Sequence, residues 1–94
     1  MVTLRIEHRV LDFAGWKAVF DNDPIYREKI GVKSYRIFRP VDDPNCAIVE
    51  LDFEHLSQAQ STHAALQKIW PKVEGTIMLD PQVRILNIIE TKEY

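Results

Sequence analysis

Cysteine and glycine are scarce in this chain, which has one cysteine, Cys46, and three glycines in 94 residues. A lone thiol cannot close an internal disulfide, and nothing resembles the paired CxxC spacing of a zinc or redox site. Cys46 opens a strand-like run, where a free cysteine reads as a small buried side chain and not as a nucleophile. There is no glycine-rich loop to cradle a phosphate and no GxSxG turn to present a serine. Excess basic charge is missing as well: twelve Lys and Arg face fourteen Asp and Glu, for a net charge of −2. A binder of phosphate backbones shows the opposite bias, so nucleic acid is disfavoured as a partner. The longest apolar stretch, Val83 to Ile89, is interrupted by Arg84 and Asn87 and falls far short of the roughly 18–20 residues that span a bilayer. Membrane is therefore excluded as well. After Arg5 the N-terminal residues never develop the uninterrupted apolar core of a signal peptide, and the expected location is the cytoplasm.

The remaining composition, 46% hydrophobic and 28% charged, is that of an ordinary globular protein. Residues 1–94 are expected to form one domain. A chain this short buries only about 60–65% of its unfolded surface, enough for one layer of helices over one sheet. Its stability is expected to lean on a partner subunit.

Val2 to Val10 alternates, with Val2, Leu4, Ile6 and Val10 on one face and Thr3, Arg5, Glu7 and Arg9 on the other, as in a strand with one buried side. Asp12 can cap a helix carrying the apolar stripe Phe13, Trp16, Val19 and Phe20. Asp23-Pro24 looks like a second helix start, ended by Gly31. Val32 to Arg39 and Cys46 to Phe53 read as strands joined by the turn cluster Pro40 to Asn45, hence a hairpin. Ser57 and Gln60 have capping-box spacing for a second helix, whose inner side holds Ala59, Thr62 or His63, Leu66, Ile69 or Trp70, and Val73. Pro71 should end or kink it. Glu74 to Pro81 reads as a connection with room for a brief helical turn, and Val83 to Thr91 as the fourth strand.

The order strand, helix, strand, strand, helix, strand is the split βαβ pattern of an α+β, ferredoxin-like fold. It predicts a four-stranded antiparallel sheet, order 4-1-3-2, with two helices on one face. The other face stays bare, and alternation places Arg5, Glu7, Ser34, Arg36, Phe38, Ile48, Glu50 and Asp52 on it, with Tyr35 and Ile37 turned inward. Taken alone this is a solvated face, in which cross-strand pairs of Arg5 or Arg36 with Glu50 or Asp52 contribute at most about 1 kcal/mol each. However, Ile85, Leu86, Ile88 and Ile89 make the last strand apolar on both sides, which a strand open to water should not be. Two copies packed through their bare faces would cover them and would enclose the charged groups beside a small cavity.

The Phe13-x-x-Trp16-Lys17-x-x-Phe20 helix, the hairpin from Tyr35-Arg36-Ile37-Phe38-Arg39 to Asp42-Asp43-Pro44, and the helix from Ser57 through His63 to Trp70 together resemble the dimeric α+β barrel superfamily. That superfamily includes the antibiotic-biosynthesis-monooxygenase-like proteins, and the resemblance covers nearly the whole chain. It implies a homodimer and, among the activities of such proteins, oxygenation without a cofactor. This chemistry needs a substrate with an acidic C–H, an enclosed apolar pocket, a base and donors for the oxyanion. Arg5 and Arg36 can stabilise an anion, Glu7, Glu50 or Asp52 can serve as base, and Tyr35 or Asn87 can orient a phenol. Haem-degrading members use an Asn on the first strand, a Trp and a His. Here Glu7 or His8 replaces that Asn, and His63 precedes Trp70 where those enzymes have the reverse, so the match fails twice.

Nor do the histidines suggest a metal. His8 ends the first strand and His55 follows the third, about 20 Å apart in an antiparallel pair at roughly 3.3 Å per residue. His63 and Trp70 lie two turns apart on one helical face, where a hydrogen-bonded histidine outweighs a ligand, and Trp16 and Trp70 read as core anchors. The sequence thus describes a homodimer that binds a small organic molecule between its sheets, with no metal and no cofactor. The alternative is a non-catalytic structural or binding protein of the same fold. A third class, a ferredoxin-like domain that stacks bases on its sheet, conflicts with Glu7, Glu50 and Asp52 on that face.

Overall fold

The alternating segments fold as strands around one antiparallel sheet. A computed structural model describes residues 1–73 and 78–94 and shows β1 (Val2–Val10), α1 (Phe13–Asp21), β2 (Ser34–Phe38), β3 (Cys46–Phe53), α2 (Leu56–Val73) and β4 (Met78–Asn87). The strand order is β2-β3-β1-β4, the predicted order read from the other edge, so the ferredoxin-like expectation holds. Leu4, Leu51 and Phe53 are fully buried between the sheet and the helices, each contributing about 1.5–3 kcal/mol of burial. Trp16 of α1 and Ala59 of α2 close the core from the helical side.

Asp12 caps α1 as expected, its side chain accepting from Gly15 N at 3.1 Å. The expected second helix at Asp23-Pro24 does not form; residues 24–31 run as isolated turns. Asp23 and Tyr26 adopt φ of 52° and 54°, a left-handed backbone that cannot propagate a helix. The Asp23 carboxylate instead accepts from Arg27 N at 2.9 Å, and the Arg27 guanidinium donates to the Phe20 carbonyl at 2.7 Å. Together these contacts fold the segment back onto the end of α1.

The second helix begins one residue before the expected Ser57 cap, and the Gln58 side chain covers the backbone N–H of His55 at 3.0 Å. Pro71 does not end α2: it lies in the last turn, and the helix runs on to Val73. Of the expected connection at Glu74 to Pro81, residues 74–77 lie outside the described residues, whereas Met78 to Pro81 already belong to β4. Proline is admitted there because β4 is an edge strand with a bulge. The pairing jumps from Glu7↔Gln82 to Arg9↔Leu79, and Asp80 takes φ 51°. The strand ends at Asn87, not Thr91, so Ile88 and Ile89 lie beyond it and are exposed. Leu86, opposite Thr3, and Leu79, opposite Arg9, are then the apolar residues that β4 presents on the bare face.

Candidate functional site

Register turns the bare face into a grid. Ser34, Asp52, Thr3 and Leu86 form one row, Arg36, Glu50, Arg5 and Arg84 the next, and Phe38, Ile48, Glu7 and Gln82 a third. Seven of the residues expected on this face, Arg5, Glu7, Arg36, Phe38, Ile48, Glu50 and Asp52, are therefore brought together. Asn87 is not: it stands opposite Val2, on the helix-side rows at the end of β4. Tyr35 stands opposite Leu51, also on the helix side as expected.

Most charged groups of this grid are already engaged with one another, Arg84 being the exception among the described residues. Arg36 binds Glu50 at 2.8 Å and Asp52 at 3.1 Å, and Arg5 binds Glu7 at 3.0 Å. Asp52, only 5% exposed, also accepts from Thr3 Oγ1 at 2.7 Å and Ser34 Oγ at 2.8 Å. Burial alone would push its carboxyl up, but the bonds from Thr3, Ser34 and Arg36 outweigh burial and hold it below the ordinary carboxylate range. A carboxylate held this way is a poor base. The face carries charges of both signs, with Arg5, Arg9, Arg36 and Arg84 against Glu7, Glu50 and Asp52, and apolar Phe38, Ile48, Leu79 and Leu86 flank them. Cys46 is buried at the end of β3, and burial, reinforced by the Glu7 and Asp43 charges, pushes its thiol up, so it is no nucleophile at neutral pH.

A partly enclosed space lies on the other side of the sheet. A cavity of about 190 Å³ sits between Ile6, Val49 and Leu51 of the sheet and Trp16, Phe20, Leu66 and Trp70 of the helices. Its lining is nearly all apolar, with two polar side chains, His8 and Arg27. An apolar cavity of about 150 Å³ holds benzene, so this one suits a molecule of one ring or a small fused pair. The His8 ring is 3% exposed and meets Trp16 edge-on, centroids 5.2 Å apart. Its Nδ1 lies 3.2 Å from the Arg9 carbonyl oxygen. That contact assigns the proton to Nδ1 and the lone pair to Nε2. Burial lowers the His8 pKa, only partly offset by the Arg9 carbonyl, so the ring is neutral at physiological pH.

Two open grooves adjoin the cavity. One, about 450 Å³, lies along His63, Trp70, Pro71 and Gln82, and there the His63 and Trp70 rings stand 6.2 Å apart as their spacing predicts. The other, about 570 Å³, runs past Asp23, Arg27, Lys33 and Tyr35. Among the described residues no three His, Cys, Asp or Glu side chains gather as a metal site, and no described helix is long and apolar enough to cross a membrane.

Sequence reading weighed His8 only as a metal or haem residue and passed over Arg27. For His8 a signal existed: it occupies the inward parity of Val2, Leu4, Ile6 and Val10, so an imidazole interrupts an otherwise apolar face. For Arg27 there was none, because its place depends on how the turns after α1 fold back.

No family model and no curated protein matches this sequence. Solved structures do. SnoaB, a cofactor-independent oxygenase from Streptomyces nogalater, superposes with a TM-score of 0.73 at 15% identity, over 96% of this chain and 94% of its own. A putative antibiotic biosynthesis monooxygenase from Bordetella bronchiseptica gives 0.72 at 17%, over 95% and 97%. A dimeric ferredoxin-like protein from an uncultured marine organism gives 0.64 at 8%, over 96% and 97%. The chain thus has the ferredoxin-like α+β fold of the antibiotic-biosynthesis-monooxygenase proteins, as the resemblance implied. At these identities the likeness is one of fold, and activity has to be argued from the site.

Proposed function

We propose that this chain forms a cytoplasmic homodimer through its bare sheet face, and that each protomer oxygenates a compact aromatic molecule, without a cofactor, in the cavity between helices and sheet. The observation that carries the reading is the cavity itself: about 190 Å³, apolar, and holding one buried histidine. This moves the ligand from between the sheets to the helical side, because the groups expected to act on the outer face bind one another. Charges of both signs and four apolar side chains on that face suit a self-complementary, two-fold contact. A reduced, buried Cys46 suits the cytoplasm. The oxygenase named among the fold neighbours supports the choice of chemistry.

In the proposed reaction His8 Nε2 takes a proton from a CH₂ flanked by an aromatic ring and a carbonyl. The carbanion passes an electron to O₂, and the pair recombines as a peroxide. Loss of water, with the proton returned by the imidazolium, converts CH₂ and O₂ into C=O and H₂O. The apolar wall excludes water from the carbanion. Both tryptophans of the chain line the cavity, so their fluorescence reports occupancy. The test is titration with 2-tetralone in air, with oxygen uptake recorded alongside, and light scattering of the free protein. Saturable quenching, uptake above the buffer rate and its loss in His8→Gln are expected. Quenching without uptake would make the chain a non-catalytic binding protein, no quenching would end the cavity reading, and a clean 11.0 kDa species at micromolar concentration would end the dimer.

A further inference from the structure

Arg27 is the residue that borders both the partly enclosed apolar cavity and the open groove beside Lys33 and Tyr35. Its side chain is 13% exposed, and its guanidinium carbon stands 3.9 Å from the Phe20 ring centroid and 5.0 Å from that of Tyr35. Those two rings meet edge to face at 5.1 Å, so the guanidinium is held in an aromatic corner at the cavity mouth. Nη1 is committed, donating to the Phe20 carbonyl at 2.7 Å and lying 3.5 Å from Asp23 Oδ1. Among the described residues no hydrogen bond engages Nε or Nη2. These N–H groups form the edge of the fork that receives a carboxylate in two parallel bonds. Asp23 and Glu28 also line the groove and oppose an incoming anion. However, Asp23 Oδ1 is closer to the Arg27 backbone N–H, at 2.9 Å, than to its guanidinium, and so neutralises it only in part.

We propose that Arg27 makes the cavity selective for an aromatic anion, an arene carboxylate or a phenolate, whose ring lies among Trp16, Phe20 and Trp70 and whose charged group seats on the free guanidinium edge at the mouth. The inference rests on the cavity being the ligand site and adds the substrate class. Arg27 then orients the ring relative to His8, the one other polar side chain of the lining. It is a specificity-determining residue and takes no proton.

The test is a pair of isosteric probes, benzoate and benzamide, titrated by tryptophan fluorescence into wild type, Arg27→Lys, Arg27→Met and Lys33→Met at moderate salt. The readout is the ratio of the two affinities, which cancels any change in folded fraction, so a partly destabilised variant still reports. Wild type is expected to bind benzoate at least about tenfold more tightly than benzamide, from two charge-assisted hydrogen bonds. The ratio should fall to about one in Arg27→Met and lie between the two in Arg27→Lys, with benzamide binding and the Lys33→Met ratio nearly unchanged. Equal binding of the two probes to wild type, a ratio that survives Arg27→Met, or one lost in Lys33→Met overturns the assignment to Arg27 while leaving the cavity reading intact. If neither probe changes the fluorescence, both fall together.

Discussion

Asp52→Asn removes one charge from the bare sheet face and leaves its shape, and is expected to cost about 1–2 kcal/mol. Three donors converge on the carboxylate, at 2.7, 2.8 and 3.1 Å. Asparagine can keep all three contacts if its amide nitrogen turns to Thr3, whose hydroxyl then accepts, while its oxygen stays with Ser34 and Arg36. What is lost is the charge, worth roughly 1 kcal/mol per bond, or about 3 in total. Relief from burying a carboxylate returns part of this, on the order of 1–2 kcal/mol. The Arg36 side chain, 49% exposed, contributes least because water screens it. The downward displacement of the Asp52 carboxyl means that the bonds win over burial. A carboxyl whose folded-state pKa lies below its unfolded value of about 3.9 stabilises fully above that pH, and the contribution drains away as pH falls through the folded value. Thermal unfolding by circular dichroism, at fixed protomer concentration, should therefore show Asp52→Asn melting roughly 5–15 °C below wild type at neutral pH. The gap should shrink steadily below about pH 4. An unchanged or raised melting temperature at neutral pH, or a gap undiminished in acid, would refute the ordering of these terms.

His8→Phe should flatten the stability profile on the acid side of neutrality. Burial lowers the His8 pKa, so protonation favours the unfolded chain and wild-type stability falls as pH drops below about 6.5; equal acid slopes in chemical denaturation would contradict this. Thr62→Val should raise stability by about 1 kcal/mol, because the buried Thr62 hydroxyl has no hydrogen-bond partner among the described residues and valine keeps its shape. A loss in urea midpoint would instead reveal a bond that the hydroxyl makes. Gly31→Ala should cost about 2 kcal/mol, since Gly31 sits at φ +104° and a Cβ there would fall 2.6 Å from Gln58 Nε2. Gln58 can swing aside only by releasing the His55 N–H. A neutral melting temperature would mean that the turn readjusts.

Where local pattern and burial agree, the sequence was readable. The alternation in β1 and β3 gave their bounds, Val2–Val10 and Cys46–Phe53, and with them the parity that assembles Arg5, Glu7, Arg36, Glu50 and Asp52 on one face. Where a local signal competed with tertiary pairing, it misled. Asp23-Pro24 has the chemistry of a helix start, yet Arg27 reaching back to the Phe20 carbonyl favours left-handed turns. Pro81 has the chemistry of a break, yet an edge strand needs no ladder bond from it and a bulge absorbs the extra residue.

Composition and alternation by themselves determined a four-stranded sheet with two helices on one side, because periods of 2.0 and 3.6 are properties of the chain alone. They also determined which charges share the bare face. Only the tertiary structure decided what those charges do and where a cavity lies. Whether Arg36 is free or clamped between Glu50 and Asp52 depends on cross-strand distances. Whether His8 fills the core or lines a void depends on how closely α1, α2 and the turns before β2 approach the sheet, and cavities are what packing leaves unfilled.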